Sequence, residues 1–221
     1  MPNKTVVVLG EVHTQPTHRI MVRDEIDAND NLSILFLEHG NTVCAGTTLN
    51  DKIASLSGME QGAIESQLAA FFNEDPGNAS PSLLTLTAKA IVKNITVIAA
   101  DLTKAEMSRG IEDLRANTRY GGETITITLG LAVSSELKGV RDTHATNIIA
   151  AAVNNMPSGK VATVLWGVDH LNDYTASRAV DCQPGTDNGR QFTQELQDFD
   201  TNLLEMLRGA LLGIADVCSV S

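Results

Sequence analysis

Residues 5 to 19 read TVVVLGEVHTQPTHR. The first five have the composition of a strand buried on both faces. The run stops at Gly10, and Glu11, His13 and His18 follow within eight positions of a chain that holds only five histidines. Pro16 suits the first turn of a helix. On that helix His18, Met21, Val22 and Ile26 share one face by spacing, and Arg19, Arg23, Asp24 and Asp27 share the other. A buried strand that passes through a polar turn into an amphipathic helix is the start of a βα unit.

The pattern recurs along the chain. Residues 32 to 37, LSILFL, form a second apolar strand, ended by Glu38, His39 and Gly40. Residues 41 to 59 read as a long polar loop with one helical turn. Residues 60 to 73 and 82 to 93 read as helices separated by the breaker EDPGNASPS. ITVIAA, 95 to 100, is a third strand, closed by Asp101. Thr103 and Glu106 have the spacing of a capping box for a helix from 104 to about 116. Residues 123 to 139 fit strand or helix. Asp142 is placed to cap a helix to about 155, with Ala145, Ile148, Ile149 and Ala152 inward. VATVLW, 161 to 166, is a fourth strand, followed by GVDHL. A last helix covers about 191 to 213, with Phe192, Leu196, Phe199, Leu203 and Leu207 on one face. Continuous apolar strands alternating with helices predict an α/β fold, mainly a parallel sheet flanked by helices, with 41 to 93 as a loop and helical insertion. The whole of 1 to 221 is read as one domain.

Composition narrows the function. Hydrophobic residues make up 43% and aromatic residues 4%, so the core is built from Val, Ile, Leu and Ala. A formal charge of -11 repels phosphate backbones and argues against nucleic acid as a partner. Cys44, Cys182 and Cys218 are far apart and odd in number, which argues against a disulfide framework or thiolate zinc site. No apolar leader or bilayer-length stretch is visible, so a cytoplasmic protein, or one delivered as an effector, is expected.

In a parallel sheet, ligands bind beyond the carboxyl ends of the strands. Those ends carry Glu11 and His13, Glu38 and His39, Asp101, and Asp169 and His170. Each alone has a bland reading as a cap or turn residue; four strand ends agreeing point to a pocket. Glu11, His13 and His170 have the donor types of a divalent metal site, where bound water would ionise near neutral pH. Without metal, a histidine held by a carboxylate can act as general base on water. Residue type does not separate the two routes. Arg141 can clamp an anion or a developing oxyanion, or form a salt bridge to Glu11 or Glu38. Asp101, Asp169 and His39 are supporting residues. His144 has a weaker claim, and His18 reads first as a core histidine. The expected substrate is a small molecule or peptide.

GEVHTQPTHR resembles the opening motif of the ChaN-like haem-binding proteins. LEHG, VRDTHATNII and GVDH follow in that family's order. The wider superfamily includes the Tiki metalloproteases, the erythromycin esterases and a domain of the Pasteurella-type mitogenic toxins. The resemblance implies an α/β domain with a polar site at one sheet edge, carried by Glu11, His13, Glu38, Arg141 and His170. It also implies three functions: a metal-dependent or metal-free hydrolase, a haem-binding module with His18 as a ligand, or an effector or toxin domain.

Overall fold

The computed structural model describes residues 4–73, 80–107, 109, 119–120, 123–124, 131–171 and 202–220. Five strands form one sheet: β1 (Thr5–Glu11), β2 (Leu32–Gly40), β5 (Thr96–Asp101), β8 (Val161–Gly167) and β9 (Asp216–Val220). Their order is β5-β2-β8-β1-β9, and every pairing is parallel. The α/β class expected from the sequence is therefore the class of the fold. Two small two-stranded ladders complete the strands, β3 (Val43–Cys44) with β4 (Thr47–Thr48), and β6 (Arg119–Tyr120) with β7 (Glu123–Thr124).

The helices are α1 (Thr17–Ala28), α2 (Leu49–Ala54), α3 (Gln61–Leu68), α4 (Leu83–Val92), α5 (Leu131–Asn155) and α6 (Leu203–Ala210). Strand side chains alternate between faces, and the two faces carry separate cores. Leu9, Leu35, Leu37 and Leu165 pack with Val22 and Ile26 of α1 and with apolar residues of α2, α3 and α4. Val6, Val8, Ile34, Phe36 and Trp166 pack with Ala145 and Ile149 of α5 and Leu203 and Leu207 of α6. The sheet is thus sandwiched between two helical layers, which explains why its strands are apolar on both sides. No helix among the described residues is long and apolar enough to cross a membrane.

Several expectations need correction. The loop from 41 to 59 contains the β3–β4 ladder and α2, whose start is capped by Thr48 accepting from the Asp51 N–H. Asp142 is not a helix cap. The helix begins at Leu131, and Asp142 lies inside it, buried. The last strand, β9, pairs with β1 and was not anticipated. Met21 is exposed, while Arg19, assigned to the outer face of α1, is fully buried beside Val22 and Ile26. The capping box does form: Glu106 Oε2 accepts from the Thr103 N–H at 2.7 Å, and Thr103 Oγ1 accepts from the Glu106 N–H at 3.2 Å. The rest of that helix, residues 125 to 130 and residues 191 to 201 lie outside the described residues.

Gly40 ends β2 opposite Asp101 of β5. A Cβ there would lie 2.7 Å from both the Leu102 carbonyl oxygen and the Thr103 Cα. Backbone on the far side leaves no flexible group to yield. Gly40→Ala is expected to destabilise the fold by about 1–3 kcal/mol through overpacking. Urea denaturation should show a lower midpoint at unchanged slope, and an unmoved midpoint would refute the close approach.

Candidate active site at the carboxyl edge of the sheet

Glu11 is the last residue of β1 and its side chain follows Leu9 onto the α1 face. There Arg19, two residues into α1, donates from Nε to Glu11 Oε2 at 2.8 Å, and His13 Nδ1 lies 2.7 Å from Glu11 Oε1. A carboxylate oxygen only accepts, so His13 carries its proton on Nδ1. That leaves Nε2 of the neutral ring as a lone pair. Glu11 and Arg19 are fully buried; His13 is about one-third exposed.

Burial by itself raises the Glu11 pKa, but the hydrogen bonds and charges of His13 and Arg19 outweigh it and hold the carboxyl below its ordinary range. The same hydrogen bond to Glu11 lifts His13 above the usual imidazole value, against the opposing effect of burial.

Glu38, on β2, gathers the remaining elements. Its Oε2 accepts the backbone N–H of Gly167 at the end of β8, and its Oε1 accepts from Arg141 Nη2 on α5. His13 Nε2 stands 3.7 Å from Oε2 and His170 Nε2 3.5 Å from Oε1. Both separations exceed direct hydrogen-bond length. Gly167 makes this crowding feasible, since a Cβ on it would come within 2.9 Å of Glu38 Oε2 and 3.3 Å of His13 Nε2. Arg141 lays its Nε and Nη2 on Asp101, with Nε 2.9 Å from Oδ1. Burial opposes the guanidinium charge, but Asp101 and Glu38 overcome that and raise its pKa. Its Nη1 takes no part in these bonds. On the far side of His170, Nδ1 bonds Asp142 Oδ1 at 2.5 Å. Burial pushes the Asp142 carboxyl up, more than His170 lowers it.

The structure thus brings Glu11, His13, Glu38, Asp101, Arg141 and His170 to one edge, as the strand ends predict. A cavity of about 300 Å³ opens there, lined among others by His13, Glu38, His39, Asp101, Lys104 and Arg141. The geometry favours the salt-bridge reading of Arg141, with Glu38 rather than Glu11 as its partner. His18, half-exposed on α1, and His144, half-exposed on α5, are not among the residues lining the cavity. The side chain of Asp169 lies outside the described residues.

Three residues escaped the sequence reading: Arg19, Asp142 and Gly167. Arg19 stands at three and seven residues from the buried Val22 and Ile26, the spacing of one helix face, so its inward aim was readable.

The expected metal ligands are not presented as a set. Both oxygens of Glu11 are engaged by His13 and Arg19, and Glu38 is shared with a guanidinium. Among the described residues no three His, Cys, Asp or Glu side chains are grouped to hold a metal ion. The fold and this edge define an α/β protein with a charged, histidine-bearing pocket beyond its strand ends. No family model, curated protein or solved structure matches the chain.

The Glu11–Arg19 pair yields a direct test. Arg19→Met leaves Glu11 buried without its guanidinium and is expected to cost about 3–5 kcal/mol, read as a lower urea midpoint. The pH dependence should change as well. A carboxyl held low in the fold contributes stability that is complete above its unfolded pKa, roughly 4.3, and is lost as pH falls through its lower folded value. The substitution should flatten that acid-side loss. Equal midpoints and equal acid profiles would show that the pair carries no stability.

Proposed function

We propose that the protein is a hydrolase that activates water with His13, acting on a small ester or amide held in the cavity at the carboxyl edge of the sheet. The observation that carries this reading is the Glu11–His13 dyad: Nδ1 is pinned by a buried carboxylate, Nε2 stands 3.7 Å from Glu38, and His13 lines the cavity. A water beside Nε2 would lose a proton to it while its oxygen bonds the substrate carbonyl carbon. Arg141 is held by Asp101 and Glu38 through Nε and Nη2, which leaves Nη1 to donate to the developing oxyanion. His13 then returns the proton to the leaving group.

His170 reaches the same carboxylate from the other side, with Asp142 fixing its ring. In this reading it takes no proton from water, since it is buried and is not among the cavity-lining residues. The engagement of Glu11 and Glu38 favours the metal-free route over the metal-dependent one. The resemblance to the erythromycin esterase and Tiki superfamily is consistent with hydrolysis at this edge. His18, the haem ligand that the resemblance implies, is not among the residues lining this cavity.

The test is hydrolysis of a panel of small esters and anilides. His13→Gln is expected to lower kcat/KM by 100-fold or more, within the range of a lost general base. Because Glu11 raises the His13 pKa, kcat/KM should rise with pH to a plateau whose midpoint lies above about 6.5. Glu11→Gln should move that midpoint to lower pH. A midpoint that ignores Glu11→Gln, or activity that tracks a stoichiometric metal in elemental analysis and disappears with chelator, would overturn the metal-free reading.

A further inference from the structure

His39 sits one residue beyond Glu38 on β2, where the pairing with β5 shifts register, and its side chain rests on Phe72 of the first helical layer. Its ring is tilted against Phe72, with centroids 4.7 Å apart at 45°, and it is only 7% exposed. Nδ1 lies 2.8 Å from the Gly40 carbonyl oxygen. A carbonyl cannot donate, so Nδ1 carries the proton. Nε2 of the neutral ring is then a lone-pair acceptor on one of the side chains that line the cavity. Phe72 and Gly40 fix the ring, which makes that acceptor preorganised.

The geometry points to His39 as a substrate-recognition residue whose Nε2 accepts a hydrogen bond from an N–H of the substrate, so that small secondary amides are the class the cavity takes. This deepens the hydrolytic reading and rests on the same cavity. An amide offers both groups the lining asks for: a carbonyl oxygen for Arg141 Nη1 and an N–H for His39 Nε2. An ester offers only the first. A cavity of about 300 Å³ is at the lower end for small-molecule sites, roughly 300–1,000 Å³, which fits a compact acyl compound rather than a folded protein. The reaction balances without a further reactant. The water oxygen bonds the carbonyl carbon, the C–N bond breaks, and the water proton passes through His13 Nε2 to the departing nitrogen. A carboxylic acid and an amine result, and the acid gives its proton to solvent.

The assignment is tested by binding, independently of turnover. Acetanilide and phenylacetone are close in shape, but the second carries CH2 where the first has N–H. Titrated into the full chain at pH 7.5 and followed by protein NMR, acetanilide is expected to bind roughly 3- to 10-fold more tightly, the range of one net hydrogen bond. His39→Phe keeps an aromatic ring against Phe72 and removes the acceptor, so it should erase the preference. His39→Gln restores an acceptor oxygen and should recover part of it, with native NMR dispersion confirming that both variants fold. Equal binding of the two probes by the wild type, binding of neither, or a preference that survives in His39→Phe overturns the role of His39. Anilide hydrolysis is scored separately. A binding preference without hydrolysis at any pH would overturn the hydrolytic reading and leave the recognition by His39 standing.

Discussion

A carboxylate buried at the end of a strand needs donors from somewhere, or the fold loses several kcal/mol. Glu38 meets that requirement by drawing on elements far apart in the chain. The end of β8 supplies the Gly167 N–H and α5 supplies Arg141, while Nε2 of His13 and of His170 stand 3.7 and 3.5 Å from its oxygens without bonding them. No single element can satisfy it. The sheet must be closed in the order β2-β8-β1, and α5 must lie against it, before this side chain is at rest. The site and the central strand order are in that sense one requirement.

The charges gathered around Glu38 set the chemistry. Four buried carboxylates, Glu11, Glu38, Asp101 and Asp142, face two guanidiniums, Arg19 and Arg141. The excess negative charge falls on the two imidazoles, each of which has Nδ1 bonded to a carboxylate. For His13 the consequence is a raised proton affinity. A stronger base takes a proton from water more readily, but a smaller share of it is neutral at a given pH. The environment therefore trades acid-side activity for basicity. Arg19 moderates the effect by weakening the field of Glu11 at the ring.

Much of this was readable in the sequence because strands buried on both faces are written as unbroken apolar runs. TVVVL, LSILFL, ITVIAA and VATVLW are all strands of the sheet, and the residues that follow each run fall at its carboxyl edge. Where the sequence misled, competing physics explains it. β9 has the alternating, partly polar sequence DVCSV and is a strand because it pairs with β1, a tertiary fact with little local signature. Asp142 has the residue type of an N-cap, but α5 starts eleven positions earlier, so the aspartate serves His170 instead. Arg19, assigned with Arg23, Asp24 and Asp27 to the outer face of α1, is buried instead. Its partner is eight residues back on a strand, and only the tertiary pairing makes burial of a guanidinium tolerable.

The placement of the site follows from how the chain winds. From β1 it moves through α1 to β2 and on to β5, with α1 to α4 covering one face. It then returns through α5 to β8, which inserts between β2 and β1, and α6 leads on to β9, with α5 and α6 covering the other face. The crossovers change side as the strand order reverses, and ligand crevices form at such points in parallel sheets. The directions of the side chains at the strand ends do the rest. Glu11 points to the first helical layer and meets Arg19 of α1. Glu38 ends on the opposite parity and meets Arg141 of α5. His39, one residue on, turns back to the first layer and rests on Phe72. A cavity at this edge is thereby lined from both layers at once, and neither layer alone could hold a dyad, a guanidinium and a second imidazole around the same space.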